Sequence, residues 1–580
     1  MTENSTDQFF KSKVLGHPSG LFVLFFTEMW ERFSFYGMRA LLVLFLTASL
    51  LDEGWGWPRE HAMALFGSYT GLVYLSTMLG GYFADKVIGY RWAVVVGAFL
   101  MTLGHGSMAL ETSWSIYLGL ALLVFGNGFF KPNMTSIVSE MYKDRPEKKD
   151  GAYTIFYMGV NSGAFFGILL CGYLGEKVGW SLGFGLAGIF MFFGLIQFWL
   201  SQNIFGNIGL KPNKNDENSI EALDKDKRNP FTTWQLGLIA VCIILGVMWI
   251  LNEPASLVTE GRINVFSFLG ENGNNIAILT ALGLFLILLI YRLTQYSKIT
   301  MQKLIAVSFF AFLTIFFWAI FEQSPGTLTI FARDYTDRVL DGSSATIFKI
   351  VNASMTLIPL GIITWVLYLL FKQTFKKYAI ANIFLSLSFV IVWGVAIWML
   401  NNQFAEESPE VPASWFSTLN SLFIITLAPL FSKWWESKYN PSANVKYGIG
   451  MFLLALGMAC VAFGAGGIEP GAQTASVSMI WLVLVFLFHT MGELCISPVG
   501  LSYVSKLVPA RMIAFMFGVW YLAVAIGMKG AGKFGENIDK IANENGISYF
   551  FWMLTIVSVV VGVIAVVFQP VIKKLMHGVR

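Results

Sequence analysis

The chain has 580 residues; 56% are hydrophobic, 16% aromatic and only 13% charged, with a mean hydropathy of +0.64 and a net charge of +4. That balance excludes a soluble globular fold and leaves a polytopic helical membrane protein. The four cysteines, Cys171, Cys242, Cys460 and Cys495, all fall in apolar runs and suggest no disulfide framework.

In chain order, residues 1–19 form a polar tail without a signal-peptide cleavage pattern, so the first helix is expected to lead insertion. Six apolar spans follow near 20–50, 61–85, 92–110, 114–141, 151–174 and 180–200. A polar linker at 201–234, centred on KPNKNDENSIEALDKDKRNP, divides the chain into two halves. Beyond it come a hydrophobic pair within 235–293, a span at 302–331, and a second pair at 345–400. Five more spans occupy 412–575, for sixteen in all. With the N-terminus inside, the basic clusters Lys143–Lys149, Lys225–Arg228, Lys372–Lys377 and Lys573–Arg580 all fall on the cytoplasmic side. Both termini are therefore expected in the cytoplasm, and the protein in the plasma (inner) membrane.

The first span contains TEMWERFSFYGMR, which sets Glu28, Glu31, Arg32 and Arg39 inside an apolar run. Each such charge costs about 2.5–3.5 kcal/mol at a helix centre facing lipid. Positions 28, 31 and 32 share one helical face, so that face must look into protein or water. The chemistry this permits is a salt-bridge staple between helices, or a proton site beside an anion site.

Further along, GGYFADKVIGYR (80–91) puts two glycines and the charges Asp85, Lys86 and Arg91 at the first cytoplasmic turn. The fourth span ends FGNGFFKPN, placing Lys131 beside Pro132 and too deep to snorkel easily. Only three cations, Arg32, Arg39 and Lys131, are expected within the membrane. The fifth span carries Tyr153, Tyr157 and Asn161 on one stripe, as helix-packing glue or as a binding surface. Lone carboxylates, Glu322 in FFWAIFEQ and Glu493 in HTMGELCISP, mark candidate functional positions in the second half. His489 reads as a packed polar residue. No metal-ligand set, nucleophile elbow or phosphate loop is present, which argues against an enzyme.

ERFSFYGMRALL, GGYFADKVIG, FFKPN, FYMGVNSGAFFG, FFWAIFEQ, LNSLFIITLAPLF and GELCISPVGLS, in this order, resemble the proton-dependent oligopeptide transporter (POT/PTR) family. The resemblance implies a major-facilitator fold: two six-helix bundles rocking about a central cavity, with the 235–293 pair matching one that bacterial members insert between them. It also implies proton-coupled import of di- and tripeptides and peptide-like drugs across a lipid bilayer. No cofactor and no nucleic acid are implied, the proton being the coupling ion.

Carried over by position, Glu28, Glu31, Arg32 and Glu322 would couple protons. Arg39 and Lys131 would face the peptide carboxylate, and Glu493, Asn161 and Asn420 the amino end. Tyr36, Tyr74, Trp318 and Trp520 would shape side-chain pockets. The chain departs from the family pattern at Phe35, Thr77 and Ser421, which replace a tyrosine and two prolines, and above all in the pair at 345–400. That pair is apolar nearly all round and is expected outside the core bundles. An exporter or symporter of another small anion or drug-like substrate is the alternative reading.

Overall fold

The computed structural model describes residues 12–211, 230–270, 272–508 and 513–579. Most of the linker and of the N-terminal tail thus lies outside the described residues. Because lipid offers no hydrogen-bond partners, the apolar runs satisfy their backbone internally as helices. The first bundle comprises α1 (Ser19–Thr47), α2 (Arg59–Phe83), α3 (Tyr90–Met108), α4 (Ser113–Met141), α5 (Lys149–Lys177) and α6 (Trp180–Ser201). One inserted pair is α7 (Thr233–Val258) and α8 (Gly273–Thr294). Next is α9 (Lys298–Phe321), which continues through a π-helical turn at Ser324–Leu328 into Thr329–Tyr335. The second inserted pair is α10 (Gly342–Thr374) and α11 (Ala379–Ala405). The chain closes with α12 (Thr418–Glu436), α13 (Ala443–Gly464), α14 (Ile480–Leu507), α15 (Ile513–Glu536) and α16 (Ile547–Val567), which complete a second six-helix bundle with α9.

Thirteen of the described helices are both long and apolar enough to cross a bilayer by composition alone. The charges of α1 disqualify it by that measure, although nearly all of it is buried. Within the first bundle, α1 packs on α5 and α6, and α3 on α4; within the second, α13 packs on α14 and α16. The bundles meet chiefly where α2 lies along α15 and α5 along α12. Glycine makes the α2–α15 approach possible: a Cβ on Gly67 would lie 2.7 Å from the Cα of Gly532. Gly80 serves the α2–α4 crossing, where a Cβ would meet the Gly128 carbonyl, whereas Gly81 faces open space. Arg91 donates to the carbonyls of Ile208 and Gly206, fixing the start of the linker to α3.

Several side-chain ties between bundles gather at one end of the molecule. Arg59 of α2 pairs with Asp334 and Asp539 at 2.8 Å each, and Arg333 donates to Thr47 Oγ1 at 2.8 Å. The Glu176 carboxylate accepts the backbone N–H groups of Ala413 and Ser414 at 2.7 and 2.9 Å. Lys177 meets Glu410 at 2.5 Å. At the opposite end, His17–Tyr142, Gln569–Ser442 and His577–Gln302 each stay within one bundle.

The second inserted pair sits outside the bundles, on the first one. Phe389 of α11 lies edge-on to Phe26 and Trp30 of α1, with ring centres 5.7 and 5.5 Å apart, and α11 packs along α6. Its base is pinned by backbone bonds: Val411 N–H donates to Arg338 O, and Leu340 N–H to Pro409 O.

Candidate functional site

One face of α1 builds the charged half of the site. Arg32 Nε lies 2.9 Å from Glu28 Oε1 and 2.6 Å from Glu31 Oε2, so one guanidinium holds both carboxylates. All three residues are buried. Asn127 of α4 donates Nδ2–H to Glu31 Oε1 at 3.0 Å, a contact the sequence reading missed. Its signal was present, since Asn127 stands one helical turn before Lys131. Phe35 lies under both Arg32 and Arg39, 5.6 and 5.9 Å from its ring centre.

Two turns on, Arg39 reaches across to the second bundle and pairs with Glu322 at 3.0 Å. The sequence reading gave these two residues separate tasks, whereas here each is the other's partner. Tyr36 supports Arg39 from below, with 5.2 Å between guanidinium carbon and ring centre. Among the described residues, Lys131 has no carboxylate so close. Its Nζ sits 4.4 Å from the ring centre of Tyr74 and 3.4 Å from the hydroxyl.

The second bundle supplies the opposite wall. Asn420 of α12 donates Nδ2–H to Glu493 Oε2 and to Thr490 Oγ1 of α14, both at 3.0 Å. Glu493 also lies within electrostatic range of Arg39 and Glu322. Trp318 stacks edge-on with Phe317 and Phe321, and Gly527 lets α15 approach its Cβ. Trp520 is buried over Gly500, where any Cβ would collide with its ring. Asn161 spends its Nδ2–H on the Tyr157 carbonyl one turn back, while Tyr157 keeps 45% of its surface exposed. His489 is packed against Phe321, with 5.9 Å between ring centres.

A further buried cation, beyond the three that the sequence reading set within the membrane, lies near the end of a helix of the second bundle. Lys529 of α15 is buried as well, and pairs with Glu253 of α7. The missed signal was Lys529, Lys533 and Glu536 at i, i+4 and i+7, which share a helical face near the end of a span.

Chemically, the arrangement offers buried cations and carboxylates held in pairs, one of which joins the two bundles. Cations and carboxylates line facing walls of two bundles that hold together at one end. These features define a solute carrier of the major-facilitator type. The POT family model matches residues 91–409 and 397–553, and the chain belongs to that family of transporters. It is 30% identical to a peptide transporter of Yersinia enterocolitica subsp. palearctica, over 97% of this chain and 96% of the relative. It is also 30% identical to a di-/tripeptide transporter of Lactococcus lactis subsp. cremoris, over 100% and 99%. A crystal structure of a peptide transporter POT in complex with sulfate superposes with a TM-score of 0.71 at 28% identity, covering 99% of this chain and 100% of that one.

Proposed function

We propose that the protein is a proton-coupled symporter that imports di- and tripeptides by alternating access, with both termini in the cytoplasm. The observation that carries this reading is the placing of opposite charges on facing walls. Lys131 lies over Tyr74 and Arg39 over Tyr36 in the first bundle, Arg39 pairs with Glu322 of the second, and Asn420 holds Glu493 in that same second bundle. A zwitterion needs such a pair of ends, and a tolerant aromatic pocket between them admits many side chains. The names of the two relatives support peptides as the substrate class. In the proposed topology, the tied end faces outward and the opposite end faces the cytoplasm.

Coupling follows from the two arginine-held groups. While Glu322 is ionised, Arg39 is committed to it. Protonating Glu322 frees Arg39 for the peptide carboxylate, and a proton on Glu28 or Glu31 loosens their hold on Arg32. Proton and peptide then load together, and the neutralised site lets the bundles rock.

The test is uptake into proteoliposomes under an imposed pH gradient, competed with alanine and its di-, tri- and tetrapeptides. Only the di- and tripeptide should compete well; equal competition by free alanine would sink the peptide assignment. A dipeptide amide should compete poorly, and Lys131→Ala should cripple uptake. Glu31→Gln should lose uphill uptake yet keep peptide-for-peptide exchange, which needs no net proton movement.

A further inference from the structure

A second buried ionic cluster lies away from the substrate site. Glu253 on α7 pairs with Lys529 and Lys533 on α15, and Lys533 also meets Glu536 at 2.8 Å. The cluster balances two cations against two carboxylates. Glu253 and Lys529 are 5% and 3% exposed. Lys529 also donates to Ser68 Oγ at 2.8 Å and to the Ala64 carbonyl at 3.4 Å, both on α2, and lies 5.4 Å from the Trp249 ring centre.

The geometry crosses the seam between bundles. By its backbone α7 packs along α2, a helix of the first bundle, yet its carboxylate is bonded to α15 of the second. The cluster therefore straddles the line on which the bundles separate, one turn from the Gly67–Gly532 contact. A carboxylate so placed does work on the conformational equilibrium. With α2 and α15 together, Lys529 is enclosed and needs a counter-charge; with them parted, its long side chain can reach the aqueous edge.

We infer that the inserted helix α7 is a latch for the tied end of the transporter, its Glu253 supplying the counter-charge that lets Lys529 be buried at the α2–α15 seam. Glu253 is a positioning residue, acting through Lys529 and not on the substrate. The purpose of the latch rests on the alternating-access reading above, but its test does not need a substrate.

The experiment places spin labels at Leu51→Cys and Gln473→Cys, two exposed positions at the tied end, one in each bundle. The background lacks the four native cysteines, and distances are read by pulsed EPR in lipid nanodiscs. In Glu253→Gln the distribution should move to longer distances, with the ratio of closed to open populations falling about tenfold. Adding Lys529→Met to Glu253→Gln should return the distribution toward that of the parent, because no buried charge is then left alone. Glu253→Asp should stay close to the parent. An unchanged distribution in Glu253→Gln overturns the latch, and so does a shift that Lys529→Met fails to reverse. Should Glu253→Gln not accumulate in the membrane, the double variant must restore it, and failure to do so also overturns the inference. A protein that shows these shifts but moves no peptide refutes the proposed function and leaves the latch standing.

Discussion

The two inserted pairs are both apolar hairpins of spanning length, and they attach to the transporter in opposite ways. The α7–α8 pair sends a buried carboxylate into the seam between bundles. The α10–α11 pair carries no acid on its helices and lies on the first bundle through aromatic rings. Its own halves are held by neutral bonds, with Asn352 donating to Gln403 at 2.6 Å and Trp393 to Thr364 at 3.0 Å. In lipid, apolar contact supplies no net drive, so packing and polar bonds decide where a helix stays. An ion pair is sensitive to its surroundings and suits a boundary that opens. Ring packing tolerates lipid on one side and suits a boundary that does not.

The largest effect expected from this contrast is steric. Gly67→Ala forces α2 from α15, since the new methyl meets backbone at 2.7 Å. Overpacking of this kind costs about 1–3 kcal/mol, enough to cut peptide uptake about tenfold. Gly361→Ala on α10 has nothing within 4 Å to meet and should leave uptake unchanged. Equal losses from both would erase the distinction between the two boundaries.

Next in size is Phe389→Ala. It removes the ring that touches Phe26 and Trp30, and the two aromatic pairs account for about 1–2 kcal/mol. The variant should show a lower Tm in detergent with peptide affinity intact. A change in affinity would mean that α11 communicates with the charged site.

A smaller effect concerns acid. Burial works to raise the Glu410 carboxyl, but the bond from Lys177 and the charges of Arg338 and Lys177 outweigh it and hold it below its ordinary value. A lowered carboxyl stabilises the fold above the unfolded value of about 4.3 and loses that contribution as the pH falls through its folded value. Wild type should therefore melt slightly above Glu410→Gln at neutral pH, and the two curves should converge below about pH 4. A gap that persists in acid would show that shape, not charge, accounts for the contact.

The smallest effect is expected from the largest edit. Replacing residues 341–408 with a short Gly-Ser link should leave transport near its original rate, measured in the same proteoliposomes. Loss of transport with intact folding would make the second pair as much a working part as the first.

Intramembrane charge explains what the sequence made legible. Glu28, Glu31, Arg32, Lys131, Glu322 and Glu493 stand out because lipid makes such residues costly; in the structure Arg32 holds Glu28 and Glu31, Arg39 holds Glu322, and Asn420 holds Glu493. The length of the apolar runs likewise outlined the spans, including both inserted pairs. It could not show that Arg39 and Glu322 are partners, because 283 residues separate them and each looks free in its own helix. Nor could it reveal Glu253 and Lys529, which lie near span ends where charges normally meet water. To the two readings left open for Asn161, helix packing or binding, the structure adds one fact: an N–H of its amide bonds to the Tyr157 carbonyl of its own helix.

The backbone bonds at the base of α10–α11 have a consequence for how this chain can be edited. Because residues 338–340 run beside 409–411, the polypeptide re-enters the transporter almost where it left. Whatever is spliced between those two strands is topologically neutral: it lengthens the chain without altering the spacing of the helices on either side. The strands act as a socket, and the α10–α11 hairpin is one module plugged into it. A compact water-soluble reporter domain with adjacent termini should be accepted at the same place, giving a handle at the tied end of the transporter.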